Sequence, residues 1–146
     1  MGQGAAPVVG PPQRLSVARV LLDTTVLIDA LRNRTAAQRL RRLRRDGDTP
    51  YVCAVNVEEL WRGTKVGEER VVRRLLSGLR IAPLGGAEGE RAGTWRRSYA
   101  TRGVTLHQAD CLVAAAAVGL GARLATANVD DFPMDELTVE LWPAGV

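Results

Sequence analysis

The sequence predicts an α/β domain with a parallel sheet covered by helices. Two observations carry this. Short aliphatic runs alternate with longer amphipathic stretches along the whole chain, the pattern of strands linked by crossover helices. The first of these runs is also apolar almost throughout, as a strand buried on both faces is. At 146 residues the chain suits one domain with a sizeable core.

The Gly/Ala/Pro-rich opening lacks the layout of a signal peptide, so residues 1–16 read as a disordered leader and 17–146 as the folded domain. Val17 to Leu22 reads as a buried strand ending in Asp23. Asp23-Thr24-Thr25 then supplies helix-start chemistry, with Val26, Leu27, Ala30 and Leu31 at helical spacing. Thr35 to Arg45 is a second helix with Leu40 and Leu43 inward, closed by the turn Asp46-Gly47-Asp48. Tyr51 to Val55 reads as the second strand. Asn56 is a candidate N-cap for a helix carrying Val57, Leu60 and Trp61, with Gly63 as its stop. Glu68 to Leu79 places Val71, Val72, Leu75, Leu76 and Leu79 on one side of a helix. Arg80 to Leu84 is a short strand, and Glu88 to Arg102 a helix. A further helix opens at His107 or Gln108 and runs to Leu120, stopped by Gly119 and Gly121. Arg123 to Thr126 and Thr138 to Trp142 complete the strands, the last as an edge before Pro143.

Composition narrows the chemistry. Nineteen of the twenty basic residues are Arg, Lys65 being the exception, and the net charge is +4. Guanidinium forks suit phosphate oxygens, so a polyanionic partner is compatible with this balance. A single His makes His-rich metal sites and His-based triads hard to build. Cys53 and Cys111 form no CxxC pair and read as buried free thiols, which fits a reducing cytoplasm. No apolar run is long enough to span a bilayer.

The acids fall at the ends of elements. Asp23 closes the first strand, Glu59 sits near the start of the helix after the second, and Asp110 opens the helix before the fourth. Asp130 and Asp131 follow that fourth strand, past Thr126 and Asn128. In open α/β sheets ligands bind beyond the carboxyl ends of strands, so this topology would bring the acids together. Two carboxylates about 4 Å apart repel by roughly 4 kcal/mol at an effective dielectric of 20. Mg²⁺ or Mn²⁺ would relieve that with all-oxygen ligands, and could activate water against a phosphodiester. Singly, each acid has a plainer reading: an N-cap for Asp23, a solvated helix residue for Glu59.

Taken together, the segments resemble PIN domains of the VapC toxin kind. Val20 to Asp29 is similar to that family's opening motif, and Val57 to Gly63 to its second, where the Glu before Leu is the acid. Ala109 to Ala115 resembles the third and Ala125 to Phe132 the fourth. The resemblance implies a three-layer α/β/α sandwich around a central, mainly parallel sheet of about five strands. It implies Mg²⁺- or Mn²⁺-dependent endoribonuclease activity on RNA, a homodimer, and a cognate VapB-type antitoxin. Asp23, Glu59, Asp110 and Asp131 would be the catalytic metal ligands, with Thr25, Thr126 and Asn128 in support. The family commonly places Asp where this chain has Asn128, which leaves Asn128, Asp130 and Asp131 as candidates for the fourth position. A diminished acid set also fits a catalytically weakened module that binds RNA or protein. A phosphoryl-transfer enzyme using Asp23 as nucleophile would want a second Asp where Thr25 stands.

Other residues read more plainly. Asp29 is expected to be structural, and Trp61, Trp95 and Trp142 to anchor core or interface. Arg39 to Arg45, Arg96, Arg97 and Arg102 read as solvated faces or polyanion contacts, and His107 as a cap or surface residue.

Overall fold

The structure is a computed structural model that describes residues 18–145. The expected leader and the start of the first strand at Val17 lie outside those residues. The elements run β1 (Arg19–Leu22), α1 (Thr24–Arg32), α2 (Arg34–Arg45), β2 (Thr49–Val52), α3 (Ala54–Arg62), α4 (Glu69–Ser77), β3 (Arg80–Ile81), α5 (Gly86–Ala100), α6 (Gln108–Leu120), β4 (Arg123–Thr126) and β5 (Val139–Leu141). A 3-10 turn, Val129–Asp131, lies between β4 and β5.

The five strands form one sheet in the order β3-β2-β1-β4-β5, every pair parallel. Alternation along the strands separates two cores. Leu21 and Leu124 face one way, against the Ala-rich α6 together with Ala92 and Trp95 of α5. Val20, Leu22 and Ala125 face the other, against Leu27 of α1, Leu40 and Leu43 of α2, Leu60 of α3 and Val72 of α4. Helices thus cover both faces, which gives the three layers of the sandwich. Leu21, Leu22, Leu27 and Leu124 are fully buried, each contributing roughly 1.5–3 kcal/mol by leaving water. Among the described residues no helix is long and apolar enough to cross a membrane.

Four expectations are corrected. The second strand ends at Val52 and α3 begins at Ala54, so Val55 is helical. A five-residue apolar run does not by itself distinguish strand from helix. Asn56 lies inside α3 rather than capping it: Cys53 holds the N-cap position, and its N–H donates to the Asn56 Oδ1 at 2.9 Å. Val71 is 53% exposed while its neighbour Val72 is buried, because a helix turns 100° per residue and the two cannot share one narrow face. Gly119 is helical, and only Gly121 ends α6, with φ +71° in the left-handed region.

At the amino ends of the strands Arg123 joins two elements. Its NH2 group lies 3.2 Å from Asp48 Oδ2, and its Nε donates to Glu140 Oε1 at 2.8 Å. The Asp48 side chain is almost wholly buried, so Arg123→Ala deprives a desolvated carboxylate of one of its partners. The variant is expected to lose about 2–4 kcal/mol of stability, read as a lower urea midpoint. An unchanged midpoint would show that the pair carries no such weight.

Candidate active site

The sheet order reverses between β1 and β4, and the crevice at such a switch point is where open α/β sheets bind ligands. Asp23 stands at the carboxyl end of β1 and Thr126 at that of β4. The backbone N–H of Asp23 continues the ladder to the Ala125 carbonyl at 2.9 Å, so both residues are placed by strand pairing rather than by a loop. Asp23 occupies the N-cap position of α1, yet its carboxylate makes no capping bond. It is 7% exposed. Its Oδ2 accepts from the Thr126 hydroxyl at 2.7 Å and more loosely from the Thr25 hydroxyl at 3.3 Å. Thr25 in turn accepts from the Ala127 N–H, and Thr126 from the Asn128 N–H. The segment after β4 is thereby tied to the start of α1.

Glu59 arrives from the second turn of α3. Its Oε1 accepts a 2.6 Å bond from the Thr24 hydroxyl, whose oxygen accepts in turn from Asn56 Nδ2 at 3.2 Å. Asn56 is fully buried. It spends its amide oxygen on the Cys53 N–H and its amide nitrogen on Thr24, so the start of α3 and the rotamer of Glu59 are fixed by one side chain. Neither Thr24 nor Asn56 stood out as a site residue in the sequence. The available signal was a polar side chain on the third residue of an otherwise apolar helix start. Glu58, next to Glu59, points elsewhere and pairs with Arg62 on the helix surface at 2.9 Å.

Asp110 sits in the first turn of α6, the helix whose buried Cys111 and Val113 to Ala117 lock it against the sheet. Its carboxyl is raised to about 6, chiefly by burial and further by the charges of Asp131, Asp23 and Glu59, with His107 acting against them. Asp23 is also raised, chiefly by burial and further by the charge of Glu59, although the hydroxyls of Thr126 and Thr25 and the Thr24 backbone favour its ionised form. Four acids distant in sequence thus share one electrostatic neighbourhood. Of the two acids in the 3-10 turn it is Asp131 whose charge is felt at Asp110. Asn128 enters through its backbone, as the residue that caps this turn.

The donor set is entirely oxygen, and neighbouring carboxylates add to the raised proton affinity of Asp23 and Asp110. A divalent cation at this place would reverse that repulsion. Among the described residues no group of three acidic, His or Cys side chains is placed to hold a metal ion. An ion that keeps several waters and takes one or two carboxylates suits this open arrangement, and that is the habit of Mg²⁺ rather than of a protein-caged metal. The fit to a hydrated hard cation is thus one of donor chemistry, through one or two carboxylates and waters and not three side chains at once.

Outside the pocket, the backbone N–H of Gly145 donates to both Asp29 oxygens at 3.2 Å, a structural use of that acid. Trp95 and Trp142 are buried, and Trp61 is half-buried beneath Arg73. Arg96 holds the Leu106 carbonyl and Arg102 lies over Tyr99.

Comparison with known proteins agrees with this geometry. Residues 20–134 match the PIN domain family. The chain is 37% identical over 118 residues to Ribonuclease VapC10 of Mycobacterium tuberculosis, covering 80% of this chain and 88% of that protein. Its fold is similar to that of a DNA-bound VapBC from Salmonella typhimurium, with a TM-score of 0.74 and 22% identity, covering 86% of this chain and 99% of the other. A toxin–antitoxin complex from Klebsiella pneumoniae is also similar, with a TM-score of 0.67 and 25% identity, covering 82% and 95%. The family match takes in β1 through the turn after β4, and so every acid of the pocket: the chain belongs to the PIN domain family.

Proposed function

We propose that the chain is a metal-dependent endoribonuclease, the toxin of a toxin–antitoxin pair, with Asp23, Glu59, Asp110 and Asp131 as the carboxylates that hold Mg²⁺ or Mn²⁺. The observation that carries the reading is that these four acids act on one another's neighbourhood at the β1/β4 switch point, with no cationic side chain ion-paired to any of them among the described residues. The relative named as a ribonuclease supports the substrate class, and the similarity to a toxin–antitoxin complex supports an antitoxin partner. A homodimer goes with the same family reading.

A divalent ion bound there would supply an activated water and offset charge on the phosphodiester. The chain's own part is positional. Thr126 and Thr25 orient Asp23, and Thr24, held by Asn56, orients Glu59. Asp131 brings a fourth carboxylate in from the turn after β4.

Asp23→Asn and Asp110→Asn are each expected to remove about 4 kcal/mol of transition-state stabilisation, about a thousandfold in RNA cleavage rate, with the fold intact by circular dichroism. Full activity in either variant would exclude that residue from the site. Thr24→Val should weaken Mn²⁺ binding roughly tenfold or more by calorimetry, and Thr24→Ser should restore it, since only the hydroxyl differs in effect. Equal Mn²⁺ affinity in all three proteins would contradict the positioning role.

The pH dependence has a definite sign. The folded protein binds a proton at Asp110 more tightly than the unfolded chain does. Between pH 3.8 and about 6 this group therefore makes the metal-free protein less stable as pH rises. Thermal melting without metal should show that loss, and Asp110→Asn should flatten it. Cleavage should run the opposite way and fall as pH drops below about 6, because the protonated acid is no longer a ligand. A cleavage rate that stays level down to pH 4 would contradict the assignment.

A further inference from the structure

We infer that the arginine ridge on the second half of α2 is a second contact for the RNA substrate, gripping the phosphate backbone at the end of the sheet away from the acid pocket. This rests on the ribonuclease reading and adds to it a site of substrate binding.

α2 carries six arginines and no acid between Arg34 and Arg45. Leu40 and Leu43 are buried against the sheet, which leaves Arg41, Arg42, Arg44 and Arg45 on the exposed side. With Gln38 these four line an open cavity of about 500 Å³. Arg44 is anchored, donating to the Gly78 carbonyl at 3.0 Å. No acidic side chain pairs with Arg41, Arg42 or Arg45 among the described residues. The neighbouring Asp46 lies in the turn beyond the helix.

Such an arrangement is unfavourable alone. Arg41 faces Arg44 and Arg45 at three and four residues, and Arg42 faces Arg45, each like pair costing a few tenths of a kcal/mol. The negative end of the helix dipole offsets part of this for the last turn, but Arg41 precedes that turn. A row of forks at helical spacing is matched by successive phosphates on a nucleic-acid strand. The ridge presents no exposed large apolar side chain, and the core of a protein–protein contact normally needs one. That favours a polyanion read through its backbone over an acidic protein segment.

Position supports an RNA with extended structure. All strands are parallel, α2 leads through Asp48 into the amino end of β2, and the acids stand at the carboxyl ends. The two regions are thus separated by at least the length of a four-residue strand, roughly 13 Å. One RNA touches both only if a folded arm reaches around the sheet.

The test uses Asp23→Asn protein, which binds without cutting, and its Arg41→Gln/Arg42→Gln/Arg45→Gln derivative. Fluorescence anisotropy with a hairpin RNA, read between 50 and 200 mM salt, should show about tenfold or greater loss of affinity in the derivative. The slope of log affinity against log salt should become shallower by about 2 to 3, as expected for three lost phosphate contacts. In the otherwise wild-type background, the three substitutions should raise KM for the hairpin, leave kcat unchanged, and leave cleavage of a short single-stranded RNA untouched. The melting temperature should stay level or rise, since repulsion is removed. Unchanged hairpin affinity and salt slope would overturn the inference. So would a DNA hairpin losing more affinity than the RNA hairpin, or polyglutamate competing as well as RNA. The two readings separate cleanly: ridge-dependent RNA binding without cleavage in any metal sinks the nuclease assignment alone, and metal-dependent cleavage indifferent to the ridge sinks this one alone.

Discussion

The 2.7 Å bond between Asp23 and Thr126 joins the carboxyl ends of two adjacent strands whose residues lie 103 apart in sequence. Everything at the pocket is arranged around it. It fixes one carboxylate inside the protein in a defined direction, where water can do little to screen it. The other acids then meet a charge that cannot move away. The rise of Asp110 to about 6 has its own burial as first cause, then the charge of Asp131, and then that of the fixed Asp23. Nearby hydroxyls and amides give direction but not countercharge. The site is therefore built so that an outside cation is the cheapest way to ionise it fully.

Much of this was legible in the chain. The aliphatic run ending in Asp23, the acid opening the Ala-rich helix and the polar turn after Thr126 each mark an element boundary, and parallel topology gathers such boundaries at one edge. Strand and helix identity was also plain where the elements were long or strongly periodic. The failure came at Tyr51 to Val55, where five apolar residues carry no period that separates strand from helix start. That one uncertainty hid Asn56, because its role depends on lying inside α3 rather than before it. Val71 was misplaced for a related reason: hydrophobicity names the residues that would prefer burial, and helix rotation decides which of them obtain it. Between Asp130 and Asp131 the motif resemblance favoured Asp131, and it is Asp131 whose charge acts on Asp110.

The fold also separates charge. Carboxylates gather where strands end, arginines where α2 runs back to the amino end of β2, and Arg123 clamps Asp48 and Glu140 near that second region. The same parallel order that concentrates acid at one edge places the arginine-rich end of α2 at the opposite one, where Arg123 neutralises Asp48 and Glu140. A polyanion approaching such a surface is repelled at the pocket and attracted behind it, so access to the acids depends on their charge being neutralised first.

The long reach of the Asp23–Thr126 pairing has a further consequence for how the protein comes into being. A ribosome that has released only the first hundred residues has delivered Asp23 and Glu59 but neither Asp110 nor β4. The central strand β1 then lacks the neighbour that completes its ladder, and the threonine that aims its terminal acid has not been made. Non-local parallel pairing is slow to form in any case, because the loop must close before contacts repay it. The nascent chain consequently lacks two of the four acids, and the strand that aims a third, until its last quarter emerges. The pocket is therefore among the last features of the fold to exist.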